Sequence, residues 1–238
     1  MTLSSIDDTQ RSAARVVGAS YLLAIPPALF TGIYVASQLV TGKNAAESAQ
    51  WITSHELLFR LGIASDLTAF TIDIALIAAL YLVLKPVSRG LALFATFVRL
   101  VETALFFSVT MKYLDMLGYL GSADYARALG TEQLQSLARL AIASHNAGYN
   151  VGLVLAGLGS TVFCYLCLKS GYIPKWLAGF GVFASSVLAS FTFAWVIVPE
   201  FAKIITVGIY GGPIFLFELA MGLWLLLRGI RQQDTPQP

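Results

Sequence analysis

Asp66, Asp73, Arg99, Glu102 and Glu218 stand in stretches that are otherwise almost wholly apolar. An ionised side chain in hydrocarbon costs from about 2.5 kcal/mol upward, so such groups face the protein interior and find partners. Coupled carboxyl groups in that setting serve as proton carriers, as ligands for cations or as general acids. Spacing shows which of them can meet. Asp73 lies thirteen residues before Pro86 and Arg99 thirteen after it. In a helical hairpin turning at Pro86, each is about 20 Å from the turn at 1.5 Å per residue. Asp73 and Arg99 are therefore expected to pair near mid-membrane. Glu102, three residues beyond Arg99, shares its helix face, and one guanidinium can serve both carboxylates. Glu218, about ten residues from the inner end of the last apolar segment, reaches the same depth with no basic neighbour in its own helix. It must find Arg99, another donor or a proton. Three carboxylates against one Arg would leave surplus negative charge in a low-dielectric site.

A second group accompanies the first. Asp66 is two helical turns before Asp73, on the same face and nearer the outside. The run SHNAGYN at 144–150 places His145 and Tyr149 on one face and Asn146 and Asn150 on the adjacent one. His145 is expected near the depth of Asp66, where the carboxylate could hold the ring's tautomer. Gly148 and Gly152 form a small-x-x-x-small pattern that lets another helix approach closely. Together with the first group, these residues make one predicted binding cluster: Asp66, Asp73, Arg99, Glu102, His145, Asn146, Tyr149, Asn150 and Glu218. Arg60 falls off the carboxylate face near the outer end and is read as an interfacial, snorkelling residue.

Composition shows what must carry these groups. Of 238 residues, 57% are hydrophobic and 12% charged, against roughly 45–50% and about 25% in a soluble domain. Six segments are long and apolar enough to cross a bilayer, at about 15–40, 57–84, 88–114, 139–168, 174–198 and 204–228. The sequence thus predicts an all-α polytopic membrane protein, a single membrane domain of six helices between polar tails 1–14 and 229–238. The first segment is expected to be a retained helix rather than a cleaved signal, because Asp7 and Asp8 precede it. Pro26 and Pro27 within helix one, and Gly211, Gly212 and Pro213 within helix six, predict two interrupted helices. Such pairs point to a transporter's central site.

Lys and Arg counts set the orientation. Arg11, Arg15, Lys85, Arg89, Lys169, Lys175, Arg228 and Arg231 fall on one side, and Lys43, Lys112, Arg127, Arg139 and Lys203 on the other. This asymmetry puts both termini in the cytoplasm. Asn44 with Glu47 reads as a helix N-cap, TEQLQSLARLA from Thr131 as amphipathic, and Trp51, Tyr113, Tyr119 and Tyr125 as interfacial anchors. A net charge of +2, spread over loops and tails, argues against nucleic acid as a partner. The bilayer is the expected partner, with a proton or small solute beside it; a homo-oligomer stays open. Cys164 and Cys167 have C-x-x-C spacing without a second pair or a nearby His, so they are read as small core residues and no metal is expected. Only His55 and His145 could ligate haem, and His55 lies in an outer loop, so no cofactor is expected. No nucleotide-binding, zinc-protease or serine-hydrolase motif is present.

The motifs FRLGIASD (59–66), LYLVLKPVSRGLALFATFVRL (80–100), SHNAGYNVGLVLAGLG (144–159) and LKSGYIPKWLAGFG (168–181) resemble domain-of-unknown-function family 4386, a group of bacterial multi-pass membrane proteins. The resemblance covers about Arg15 to Arg228. It implies fold and a place in the bacterial cytoplasmic membrane, and no activity. Three function classes follow from the residues: a proton-coupled or small-solute transporter with a mid-membrane site, an intramembrane enzyme using a buried carboxylic acid on a lipophilic substrate, and a structural or sensory protein whose charges fix helix packing. Whether the chain is an enzyme stays open.

Overall fold

The computed structural model describes residues 6–40, 44–198, 200 and 207–231. Every regular element among them is helical: α1 (Asp8–Leu29), a π-helical turn (Phe30–Val35), α2 (Ala36–Val40), α3 (Ala45–Ser54), α4 (Glu56–Leu84), α5 (Arg89–Gly121), α6 (Ala123–Leu129), α7 (Thr131–Ser170), α8 (Lys175–Ile197) and α9 (Val207–Leu227). Among the described residues, six stretches are long and apolar enough to cross a membrane: Asp8–Leu39, Glu56–Leu84, Arg89–Gly121, Thr131–Ser170, Lys175–Ile197 and Gly208–Leu227. Large apolar side chains such as Phe97, Met111 and Trp176 point outward, an arrangement suited to lipid and costly in water.

The breaks between helices follow local chemistry. Pro86 disfavours helical geometry at Lys85, so α4 stops and α5 starts afresh at Arg89. At the end of α7, Gly171 takes a φ of +66°, the left-handed geometry that ends helices, and the Ser170 hydroxyl donates to the Cys167 carbonyl at 3.0 Å. Asn44 caps α3, its side chain accepting from the Glu47 amide at 2.9 Å and donating to the Glu47 carboxylate at 3.1 Å.

Several expected boundaries move. The fourth span begins at Thr131, because nothing between 131 and 139 breaks the helix and the amphipathic segment simply continues into the apolar one. The third span runs on to Gly121; Lys112 and Asp115 pair at 3.1 Å on its surface and do not end it. Tyr113 therefore sits inside a longer helix, only 3% exposed, and is not an interfacial anchor. α1 passes through Pro26 and Pro27, and the irregularity follows as the π-helical turn, a usual response to lost backbone donors. Pro213, by contrast, lies within a continuous α9, so that helix is not interrupted at Gly211–Pro213. Lys43, Lys203 and the first residues of the sixth predicted helix lie outside the described residues.

The chain forms two compact units: Met1–Leu23, Ile72–Thr103 and Asn150–Pro238 make the first, Ala24–Thr71 and Ala104–Tyr149 the second. The first unit's core includes Leu84, Leu166, Leu177 and Phe217, with Cys164 and Cys167 as free, buried thiols within it. Buried Gln10 ties this unit together, donating to the Val83 carbonyl at 3.1 Å and to the Tyr172 hydroxyl at 3.3 Å. Gly157 lets α7 and α8 approach closely: a Cβ there would lie 2.5 Å from the Ala189 amide nitrogen. The second unit's core includes Leu39, Ile52, Phe59 and Met116. In it Gly62 abuts Val35, and Thr31 on the π-helical turn donates to the Gly62 carbonyl at 2.9 Å.

Candidate functional site

In the first unit, α4 and α5 run away from the Pro86 turn and carry Asp73 and Arg99 to the same level. Nη2 of Arg99 donates to both oxygens of Asp73, each at 2.8 Å. Nη1 lies 3.3 Å from Glu102 Oε2 on the next helical turn, so one guanidinium bridges two carboxylates. The Thr103 hydroxyl, four residues after Arg99, donates to the Arg99 carbonyl at 2.9 Å and lies 3.2 Å from Asp73. Little of this group meets the surface: the Arg99 and Asp73 side chains are 11% and 17% exposed, and Glu102 is 1% exposed. The Oε2 of Glu102 is buried and has no hydrogen-bond partner among the described residues. Glu218 on α9 and Tyr21 on α1 lie within electrostatic range of Arg99, and Tyr21 packs edge-on against Phe217.

Three residues of this group, Tyr21 among them, were not singled out by sequence reasoning. Thr103 could have been found from its i+4 position after Arg99. Gly159 on α7 is harder, because its role depends on which helix it faces: a Cβ there would lie 2.7 Å from Arg99 Cγ and 3.0 Å from its Cδ. The absence of a side chain at 159 makes room for the Arg99 stem.

The second unit holds Asp66, His145, Asn146 and Tyr149, and the first holds Asn150. Asp66 is buried with the Thr31 side chain beside it, but the Thr31 hydroxyl donates to the Gly62 carbonyl. It does not hold the His145 ring. His145 Nδ1 instead meets Asn146 Oδ1 at 3.3 Å, and Nε2 has no hydrogen-bond partner among the described residues. The ring's faces explain its orientation, since Tyr113 stacks on it at 3.9 Å and Tyr149 lies 5.9 Å away at 20°. The stack continues through Phe106, 4.4 Å from Tyr149, to Phe70 at 5.3 Å. Gly148 is crowded by Val109, whose Cγ1 would lie 2.3 Å from an added Cβ; Gly152 is buried.

Chemically, the first group can hold charge and exchange a proton through its carboxyls, while the second is a carboxyl and an imidazole set among aromatic rings. Among the described residues no group of three or more His, Cys, Asp or Glu side chains could hold a metal ion. Six apolar spans with an ion-paired group inside them define a multi-pass helical membrane protein. The chain belongs to the family described as "Domain of unknown function (DUF4386)", whose model matches residues 16–229. It is similar to an uncharacterized protein of Archaeoglobus fulgidus, 23% identical over 167 residues, which are 69% of this chain and 81% of that relative. No solved structure matches it.

Proposed function

We propose that the protein is a proton-coupled carrier of a small solute, with the carboxyl groups around Arg99 as its proton-bearing site. One observation carries this reading. Asp73 and Glu102 share a single guanidinium with Glu218 within its electrostatic range, and the buried Glu102 Oε2, 3.3 Å from Arg99 Nη1, has no hydrogen-bond partner among the described residues. With Asp73 neutralising Arg99, each further carboxylate adds an uncompensated charge, and taking up a proton removes it. Such a group can accept a proton from one side of the membrane and return it to the other. The test is proton movement in proteoliposomes loaded with a pH-sensitive dye, across a panel of small solutes. Wild type is expected to acidify the lumen with at least one solute, and Glu218→Gln to lose this while keeping its unfolding midpoint. Full proton movement by the Gln variant removes Glu218 from the mechanism; a folded wild type inert across the panel ends the transport reading.

A second reading, in which the network only fixes helix packing, is favoured by the double contact of Arg99 with Asp73, which by itself neutralises one acid. The same assay separates the two. We place both termini in the cytoplasm on the charge asymmetry of the connections, and the protein in the bacterial cytoplasmic membrane on its family resemblance. Single cysteines at Gln50 and Ser88 check the orientation: an impermeant reagent added outside is expected to label the first and spare the second.

A further inference from the structure

A cavity of about 480 Å³ opens in the second unit where the end of α3, the start of α4 and the end of α5 converge. Its wall carries one charge of each sign. Arg60 Nε donates to Glu56 Oε1 at 2.7 Å, an i,i+4 pair on α4 whose side chains are each 53% exposed. That contact uses one of the five guanidinium donors. Because the pair is half exposed, it is held weakly and can open toward a ligand at small cost. The rest of the lining is largely apolar, including Ile52 and Leu117. Gly118 and Gly121 also line the cavity, and at both an added Cβ would meet nothing within 4 Å. The space is therefore open on the α5 side. Trp51 and Tyr119 pack against the core beside it, and such aromatic residues mark the headgroup level of a bilayer.

We propose that this cavity binds a zwitterionic phospholipid with a primary ammonium, such as phosphatidylethanolamine: its phosphate on Arg60, its ammonium on Glu56 and an acyl chain along Leu114 and Leu117. Charge complementarity decides the occupant. A purely anionic headgroup gains Arg60 and is repelled by Glu56, whereas a phosphate beside an ammonium satisfies both. A choline headgroup carries the same charges but no N–H to donate to the carboxylate. The site is independent of the group around Arg99.

Native mass spectrometry of the full chain in a mild nonionic detergent, titrated with phosphatidylethanolamine, phosphatidylcholine and phosphatidylglycerol, tests this. Phosphatidylethanolamine is expected to be retained best. Arg60→Gln should weaken its retention about tenfold, the loss of one charge-assisted contact. Glu56→Gln should lower phosphatidylethanolamine binding and raise that of phosphatidylglycerol, a reversal that a merely destabilised protein does not produce. Gly118→Phe, at a cavity position where an added Cβ meets nothing within 4 Å, should reduce binding of the favoured lipid. Equal retention of the three lipids by wild type, or unchanged retention by Arg60→Gln, overturns the proposal. So does saturation by soluble phosphoethanolamine at the same concentrations, which would make the acyl chain irrelevant.

Discussion

Asp73 in the first unit lies 2.8 Å from a guanidinium that also reaches Glu102, while Asp66 in the second unit has the neutral Thr31 side chain beside it and no ion pair among the described residues. Both are acids in apolar spans of one sequence, yet their neighbours differ in kind. Around Asp73 the unit supplies charge: Arg99, with Glu102, Glu218 and Tyr21 within its field. Around Asp66 it supplies Thr31 and nearby Tyr113, whose ring belongs to an aromatic stack running through His145, Tyr149 and Phe106. The difference concerns what each acid does to its surroundings when changed. A charge answered by a charge leaves its partner stranded when removed, and breaking a buried pair costs far more than the pair contributes net. A charge answered by a neutral group strands nothing.

The largest effect is therefore expected at Arg99. Replacing it with Met leaves two carboxylates facing each other across the gap, and stability should fall by about 3–5 kcal/mol. The unfolding midpoint in an SDS titration of the detergent-solubilised protein measures this. A loss no larger than that of an exposed pair such as Arg60–Glu56 would mean that the network does not hold the first unit together.

This pair could be located from sequence because the hairpin geometry is simple. A proline turn fixes where α4 ends and α5 begins, and a constant rise per residue then sets the level of each side chain. Nothing comparable reports on a third helix. Gly159 was one glycine among several in α7 until its contact with the Arg99 stem placed it, and Thr31 gains meaning only from the Gly62 carbonyl and Asp66. Tyr113 was misplaced for a related reason. Charged residues at 112 and 115 look like the end of a span, but they pair with each other along the helix and let it continue. His145 was set beside Asp66 by counting helical turns, a method that gives level and face but not what competes for the ring; Tyr113 and Asn146 took it.

Intermediate effects are expected where each unit relies on a missing side chain. Gly159→Ala drives a Cβ to 2.7 Å from Arg99 Cγ, and Gly148→Ala one to 2.3 Å from Val109 Cγ1. Either insertion into packed helices should cost about 1–3 kcal/mol. The two should respond differently to rescue. Val109→Ala removes the obstructing methyl groups and should restore most of the Gly148→Ala loss in the SDS titration. Arg99→Lys keeps the Cγ and Cδ that a Cβ at 159 would meet and loses the planar fork for two carboxylates, so it should not rescue Gly159→Ala. Rescue by Lys would show that the Gly159→Ala loss does not come from contact with the Cγ and Cδ of residue 99.

The smallest effect should come from Asp66→Asn. The amide keeps nearly the size of the carboxyl, the Thr31 hydroxyl keeps the Gly62 carbonyl as its acceptor, and no cation loses its partner, so the change should stay under about 1 kcal/mol. Asp73→Asn is the matched control, the same chemical change on the same helix. It should cost more, because Arg99 would keep only Glu102 at 3.3 Å and the more distant field of Glu218. The ratio of the two losses is more informative than either alone, since detergent, helix propensity and side-chain size cancel between them. Equal losses would mean that Asp66 has a strong partner after all, or that Arg99 is satisfied without Asp73. A loss at Asp66 larger than at Asp73 would make the aromatic unit the one that depends on its acid, and would move the search for function from Arg99 to the stack around His145.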